Sequence, residues 1–357
     1  MTLSPNCWHA IVRGEARDPL AFVLRRVLWL AQWPYRVGVW WRNRRFDQGR
    51  NVHRVAVPVI CVGNLTLGGT GKTPCVEYVA RLLRGHEYMV AVLSRGYGAE
   101  AGRNDEAMIL EENLPDVPHY QDRDRVALAH TAIEESESEV LVLDDGFQHR
   151  RLARDLDVVL IDATDPWGSG YLFPRGGLRE PRKNLKRAGI VMITRCDSVS
   201  VEKIGELTSE VNRLAPGVAV VRTIHAPIEL LNGANQTSAT GLAGRTVAAF
   251  CGIGNPEAFR RTLQEVGANV VDFRFFPDHH AYQREDVDDL IRWASTLPAD
   301  AWIATTQKDW VKLRVSELSG RPLWAVRVGL QFQSGQAEFD KKILAVVASK
   351  RDGSGNV

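Results

Sequence analysis

Cysteine is scarce and scattered: the five in 357 residues (Cys7, Cys61, Cys75, Cys196 and Cys251) form no C-x-x-C pair. A disulfide framework and a cysteine-based zinc site are therefore not expected, and a reducing cytosol fits best. A surplus of one charge is missing too. Lys and Arg number 45 against 43 Asp and Glu, so no global field draws the chain to nucleic acid and any anionic partner must be recognised locally. No apolar run reaches the ~18 residues that a spanning helix needs, because Arg25 and Arg26 interrupt the best stretch. That stretch begins late, precedes no small-residue cleavage site and has arginines on both sides, which argues against a cleavable signal peptide. What is present is an ordinary globular composition, 45% apolar and 25% charged, at a length that predicts about two domains.

The first fifty residues differ from the rest. Trp29, Trp33, Trp40 and Trp41 are interleaved with Arg25, Arg26, Arg36, Arg42, Arg44 and Arg45. Leu20, Val23, Leu24, Val27, Leu28 and Ala31 follow the i, i+3, i+4, i+7 spacing of an amphipathic helix, and Pro34 is expected to kink or end it. Two readings stand: an interfacial helix with Trp at headgroup depth and Arg facing anionic lipid, or a helix packed across the main domain with its arginines solvated.

At 55–62 the run VAVPVICV reads as a buried strand, followed by Gly63-Asn64-Leu65-Thr66-Leu67-Gly68-Gly69-Thr70-Gly71-Lys72-Thr73-Pro74 and then a helical pattern at Val76, Val79, Ala80 and Leu83. Strand, glycine-rich loop and helix in that order are the context of a P-loop. Backbone amides and the helix dipole bind phosphate, Lys72 reaches the terminal phosphates and Thr73 ligates Mg²⁺. The chain departs from G-x-x-x-x-G-K-[ST] at Thr66, where glycine is usual, and Gly68 and Gly69 supply the flexibility instead.

Downstream, EVLVLDDGFQH (139–149) predicts a parallel strand that delivers Asp144 and Asp145 to the carboxyl edge of the sheet, where Walker-B carboxylates hold Mg²⁺; the plainer alternative is a turn before glycine. DVVLIDATD (157–165) and GIVMITRCD (189–197) repeat the pattern, giving a mostly parallel sheet with crossover helices. Thr194-Arg-Cys-Asp197 is similar to the base-reading [NT]-K-x-D of GTPases, with Arg195 in place of lysine; Asp197 as a cap before a helix at Val201 is the competing reading. The loop 171–183 mixes Arg175, Arg179, Arg182 and Lys183 with Phe173 and Leu178; it suits an anionic amphiphile, and the plainer reading, a solvated basic loop, is preferred without further context. A strand at Val90–Leu93 leads to Ser94-Arg95-Gly96-Tyr97-Gly98 and then Asn104-Asp105-Glu106, where Asp105 is either an N-cap or a candidate base. Residues 225–244, rich in Gly, Ala, Asn, Ser and Thr, are expected to be a linker. Beyond them TVAAFCGIG, with Gly252-x-Gly254 as a tight turn, ANVVDFRFF and AWIATT predict a small α/β lobe, and the tail from Lys350 is expected to fray.

In this order and spacing GNLTLGGTGKTP, SRGYG, NDE, LDDGFQHRRL, FPRGGLREP, FCGIGNPEAF, FPDHHAY and TTQKDWVKL resemble the tetraacyldisaccharide 4'-kinase family of lipid A biosynthesis, over about residues 20 to 345. The resemblance implies an α/β protein: a P-loop NTPase-like, mostly parallel core (51–224), a linker (225–244), a smaller α/β domain (245–347), a frayed tail (348–357) and an N-terminal amphipathic, membrane-associating arm (1–50). It implies ATP and Mg²⁺ as cofactors and phosphorylation of the 4'-hydroxyl of a tetraacyldisaccharide 1-phosphate to lipid IVA. The setting is the cytoplasmic face of the bacterial inner membrane, peripherally bound to an anionic surface, with no nucleic acid and no obligate protein partner. Carried over by residue, Thr66, Leu67, Gly68, Gly69, Thr70, Gly71, Lys72 and Thr73 cradle the ATP phosphates. Asp144 and Asp145 enter the Mg²⁺ shell with Thr73, Gln148 and His149 lie close by, and Glu180 is a further metal candidate; Arg179 beside it is carried over from the motif without a metal role. Asp105 is the catalytic aspartate, although Asn104 stands where glycine is usual. The D-H pair is Asp278 and His279; His279, favoured over His280, polarises Asp105. The alternative is a P-loop ATPase or GTPase switch regulating a partner, and a third is a membrane-tethered module that keeps ATP as a structural ligand.

Overall fold

Short runs of Val, Ile and Leu closed by Asp, Asn or Thr become strands covered on both faces, as a parallel sheet requires. The computed structural model describes residues 8, 10–12, 14–96, 105–233, 235–278 and 280–353. In chain order its main elements are α1 (Pro19–Asp47), β1 (Val59–Asn64), α2 (Lys72–Gly85), β2 (Val90–Ser94), α3 (Asp105–Asn113), β3 (His119–Gln121), α4 (Arg125–Glu135), β4 (Val140–Asp144), β5 (Leu156–Asp162), β6 (Ile190–Thr194), α5 (Val201–Leu214), β7 (Ala219–Asn232), β8 (Asn235–Ser238), β9 (Thr246–Cys251), α6 (Pro256–Glu265), β10 (Asn269–Phe275), α7 (Arg284–Thr296), β11 (Trp302–Thr306), α8 (Gln307–Leu313), β12 (Glu317–Leu318), β13 (Arg321–Ser334) and α9 (Gln336–Gly353). The described residues within Met1–Arg95, Asp116–Ile224 and Phe332–Val357 form one unit, and those within Gly96–Pro115 and His225–Gln331 a second.

In the first unit the strand order is β3-β2-β4-β1-β5-β6-β7, with every pairing parallel. The order reverses at β1: the chain fills one side through β4 and then crosses to β5 on the other. A crevice therefore opens beyond the carboxyl end of β1, the place where open α/β sheets bind ligands. In the second unit the order is β10-β9-β11-β13-β7. There β9, β10, β11 and β13 pair in parallel, around a core that includes Phe250, Leu290, Trp293 and Ile303.

Three boundary expectations are corrected. The stretch expected as a linker (225–244) carries the second half of β7 and an antiparallel hairpin with β8, registered Glu229↔Ser238 and Asn232↔Asn235; its small polar residues serve a turn and an exposed strand. Asp105–Asn113 belongs to the second unit and Phe332 onward to the first, against a boundary of 245–347. The tail is helical to Gly353, because Phe339, Ile343 and Val347 fall on one buried face and the Lys350 ammonium donates to the Val57 carbonyl at 2.8 Å. Residues 354–357 lie outside the described residues.

Helix α1 starts at the Asp18 cap, whose carboxylate accepts the Ala21 N–H at 2.9 Å. It continues through Pro34 to Asp47, so of the two outcomes expected at Pro34, a kink or an end, the proline does not end the helix. Anchors on both sides hold it: Arg25 donates to the Ala16 carbonyl at 2.7 Å, and the Tyr35 hydroxyl donates to the Arg179 carbonyl at 2.9 Å. Only Ala21, Val39 and Asn43 of this helix are buried. Leu20, Leu30, Val37 and Trp41 are 57–63% exposed, and Arg26, Arg44 and Arg45 lie over the rings of Phe22, Trp40 and Trp41, one turn earlier. Among the described residues no helix is long and apolar enough to cross a membrane.

Candidate active site

Strand β1 ends at Asn64, and the loop that follows is held from outside. Thr66 bridges Leu178 in antiparallel fashion, Leu67 N–H donates to the Gly177 carbonyl at 2.7 Å, and Arg179 N–H to the Leu65 carbonyl at 2.7 Å. The basic segment expected to be solvated is thus a ribbon laid along the phosphate loop. On the other side Thr194 Oγ1 donates to the Thr70 carbonyl at 3.0 Å and Arg195 to the Gly69 carbonyl at 3.1 Å. Gly68 and Gly71 have φ of +106° and +85°, values open to glycine at little cost. A Cβ built on Gly68 or Gly69 meets nothing within 4 Å, so the loop wall faces open space. Gly71 caps α2 and, having no side chain, makes no capping bond to its first turn, which leaves those amides for an anion.

Strand β4 pairs Asp144 with Val62 of β1 and brings two carboxylates to the same edge. Asp144 is 6% exposed. Its charge reaches the first turn of α2, where burial and then Asp144 push the Cys75 thiol pKa up. Asp145, held at φ +49°, takes the Lys72 ammonium at 3.6 Å and accepts from Arg179 with both oxygens at 2.8 Å. Burial alone raises the Asp145 carboxyl, but Lys72 and Arg179 outweigh it and hold the pKa below the ordinary carboxylate value. Gln148 ties the edge together, donating to the Asn64 carbonyl at 2.9 Å and accepting from Arg179 at 3.3 Å. Both polar atoms of the Asn64 side chain and the Thr70 hydroxyl are buried with no hydrogen-bond partner among the described residues, a costly state that a polar ligand relieves.

The second unit carries its own polar cluster. Asp105 opens α3 and meets the Lys312 ammonium of α8 at 3.2 Å. Asp278 pairs with Lys308 at 3.3 Å. Gly252 N–H donates to the buried Asp309 carboxylate at 3.0 Å. A Cβ on Gly252 would come 2.9 Å from Asp309 Oδ1, and one on Gly254 3.1 Å from Asp278 Oδ2. The Gly-x-Gly turn is glycine because carboxylates press against it. His280 bonds Asp286 at 2.9 Å and stacks on Phe276, so its imidazole is structurally engaged. His279 lies outside the described residues.

The sequence profile of the tetraacyldisaccharide-1-P 4'-kinase family matches residues 24–348. The chain belongs to the tetraacyldisaccharide-1-P 4'-kinase family. The tetraacyldisaccharide 4'-kinase of Anaeromyxobacter dehalogenans is 40% identical over 351 residues, 92% of each chain. That of Syntrophus aciditrophicus is 39% identical over 345 residues, 88% of this chain and 90% of the relative. Among solved structures, an "apo" form of LpxK from Aquifex aeolicus in complex with ATP superposes with a TM-score of 0.73 at 29% identity, over 91% of this chain and 99% of that one. This member of the 4'-kinase family is thus an α/β, P-loop kinase of lipid A biosynthesis that uses ATP.

ATP and Mg²⁺ fit the first unit on its own geometry. The loop wall is open, α2 begins uncapped, the Asn64 and Thr70 side chains are unsatisfied, and Thr73 and Asp144 offer hard oxygen donors of the kind Mg²⁺ takes. Glu180 does not join them, correcting its place among the metal candidates. Wholly buried, it is ion-paired with Arg42 at 3.3 Å and Arg187 at 3.1 Å and accepts from Asn43 at 2.9 Å and Asn184 at 2.6 Å. It clamps α1 to the core. Arg195, the weak point of the GTPase-like motif, pairs with Asp162 and buttresses the loop. The α5 cap expected at Asp197 is Ser200, which accepts the Lys203 N–H at 3.4 Å.

Arg125 carried little sequence signal, whereas His149, whose imidazole feels the Arg125 charge, was expected close to the site. Arg125 is 5% exposed at the start of α4; burial lowers its pKa, against the raising charges of Asp145 and Asp144. His149 is pushed down from 6.5 to about 4, by burial first and then by Arg125, Arg151 and Arg154. The unfolded chain takes up this proton near pH 6.5 while the folded one waits until about 4, so stability falls as pH drops through that window. Urea unfolding at pH 7.5 and 4.5 is expected to show a loss about 2 kcal/mol larger in the wild type than in His149→Gln, after allowance for partial exposure. Equal losses refute the assignment.

Proposed function

We propose that the phosphate loop and the Asp105 cluster act together in transferring the γ-phosphoryl group of MgATP to the 4'-hydroxyl of a tetraacyldisaccharide 1-phosphate at a membrane surface. The observation that carries this is the β1–loop–α2 unit, with its open wall, uncapped helix and Lys72 held 3.6 Å from Asp145, in a chain of the 4'-kinase family.

In-line phosphoryl transfer asks mainly for positioning and charge neutralisation. Amides of residues 66–73 and the Lys72 ammonium bind the phosphates, and bound Mg²⁺, held by Thr73 and Asp144, neutralises charge on them. Asp145, itself fixed by Arg179, holds Lys72 in place, and Gln148 braces the loop from the Asn64 carbonyl. Asp105 accepts the proton of the attacking hydroxyl, and His279 orients it.

A four-chain lipid stays in the bilayer, so the enzyme comes to the surface. The exposed apolar face of α1, with guanidinium groups over its rings, supports peripheral attachment to anionic lipid on the cytoplasmic side of the inner membrane. One experiment tests both parts: γ-labelled ATP with the acceptor carried in anionic vesicles. Label is expected on lipid, with the protein co-sedimenting and released when residues 1–45 are deleted. Label in free phosphate alone favours the nucleotide switch, and unchanged sedimentation confines the arm to packing.

A further inference from the structure

We infer that Lys312 is a positioning residue for phosphoryl transfer, holding the Asp105 carboxylate in register with the turn that carries Asp278 and His280. This rests on the reading of Asp105 as the base. Lys312 sits on α8 with its side chain 11% exposed, unusual for a lysine unless it is paired. Its ammonium lies 3.2 Å from Asp105 Oδ2, donates to the His280 carbonyl at 3.1 Å and stands 3.8 Å from Asp309 Oδ1, above the Tyr282 ring.

Asp309 is the fixed end of this arrangement. Fully buried, it accepts from Gly252 N–H at 3.0 Å, the Tyr282 hydroxyl at 3.0 Å and the Thr306 hydroxyl at 2.6 Å. With its hydrogen bonds supplied by neutral donors, Lys312 brings the countercharge while keeping its shorter contacts for Asp105 and His280. The far end of α3 is tied to the same helix by reciprocal amide bonds, Gln307 to Asn113 at 2.6 Å and Asn113 to Gln307 at 3.4 Å. Helix α3 is therefore pinned to α8 at both ends, at Asn113 by Gln307 and at Asp105 by Lys312. The other side of the turn is held by His280 on Asp286 at 2.9 Å. A compact ammonium with three donors suits contacts on several sides, and the planar fork of arginine does not reproduce them.

The test is a double-mutant cycle between Lys312→Met and Asp105→Ala in the full chain, read as kcat for label transfer, with the Kd for ATP measured separately. Lys312→Met is expected to lower kcat by about 30-fold with ATP affinity within about twofold, and by less than about threefold in the Asp105→Ala background. Equal losses in both backgrounds, or a matching loss of ATP affinity, mark a merely structural lysine and overturn the inference alone. An active Asp105→Ala enzyme overturns the reading of the base, and the inference with it. If Lys312→Met does not fold, Lys312→Arg keeps the countercharge on Asp309; about a tenfold kcat loss that vanishes in Asp105→Ala is expected, and full activity in Lys312→Arg overturns the inference.

Discussion

Lys72→Ala is expected to lower single-turnover label transfer by about a thousandfold, the scale of losing a key charge-stabilising donor. Lys72 is the first residue of α2, directly after the left-handed Gly71, so its side chain starts where the phosphates arrive. Its ammonium already faces Asp145 at 3.6 Å and is 12% exposed. The substitution is not expected to unfold the protein, because Asp145 keeps Arg179 on both oxygens; a thermal melt checks this. Lys72→Arg is expected to rescue little, since a planar guanidinium does not replace a compact ammonium at the end of a flexible stem. Near-normal transfer by a folded Lys72→Ala enzyme would remove the phosphate-loop assignment.

Asp105→Ala is expected to lower kcat by about 10² to 10⁴, the range for a positioned general base, while ATP affinity changes by no more than about threefold. Asp105 is not a phosphate-loop residue, and its ion pair is with Lys312 at 3.2 Å. Asp105→Asn keeps the size and an acceptor oxygen but cannot take the proton, so it is expected to be nearly as slow. Equal losses in kcat and ATP affinity would make Asp105 a binding or folding residue.

The phosphate loop was legible because local chemistry forces it: a strand covered on both faces, glycines where φ is positive, and a lysine and threonine opening a helix. Asp144 and Asp145 followed from the same grammar. The roles of Glu180 and Arg195 were not, because a carboxylate or guanidinium in a loop looks the same whether it meets a metal, a base or another side chain. Glu180 is defined by Arg42, Asn43, Asn184 and Arg187, whose approach depends on how α1 lies on the core. Composition misled at 225–244, where small polar residues suited an exposed hairpin as well as a linker. It misled again at the tail, where the buried face of α9 is only three residues wide.

The amino-acid order by itself determined the fold class, the phosphate loop and, through its motifs, the family. Each depends on neighbours within a few residues or on a short run of side chains. Only the tertiary structure decided that Glu180 clamps a helix, that Gly252 and Gly254 make room for carboxylates, and that Lys312 reaches Asp105. Those contacts join residues far apart in the chain, and charge pairing across such distances is settled by packing, to which local periodicity is blind.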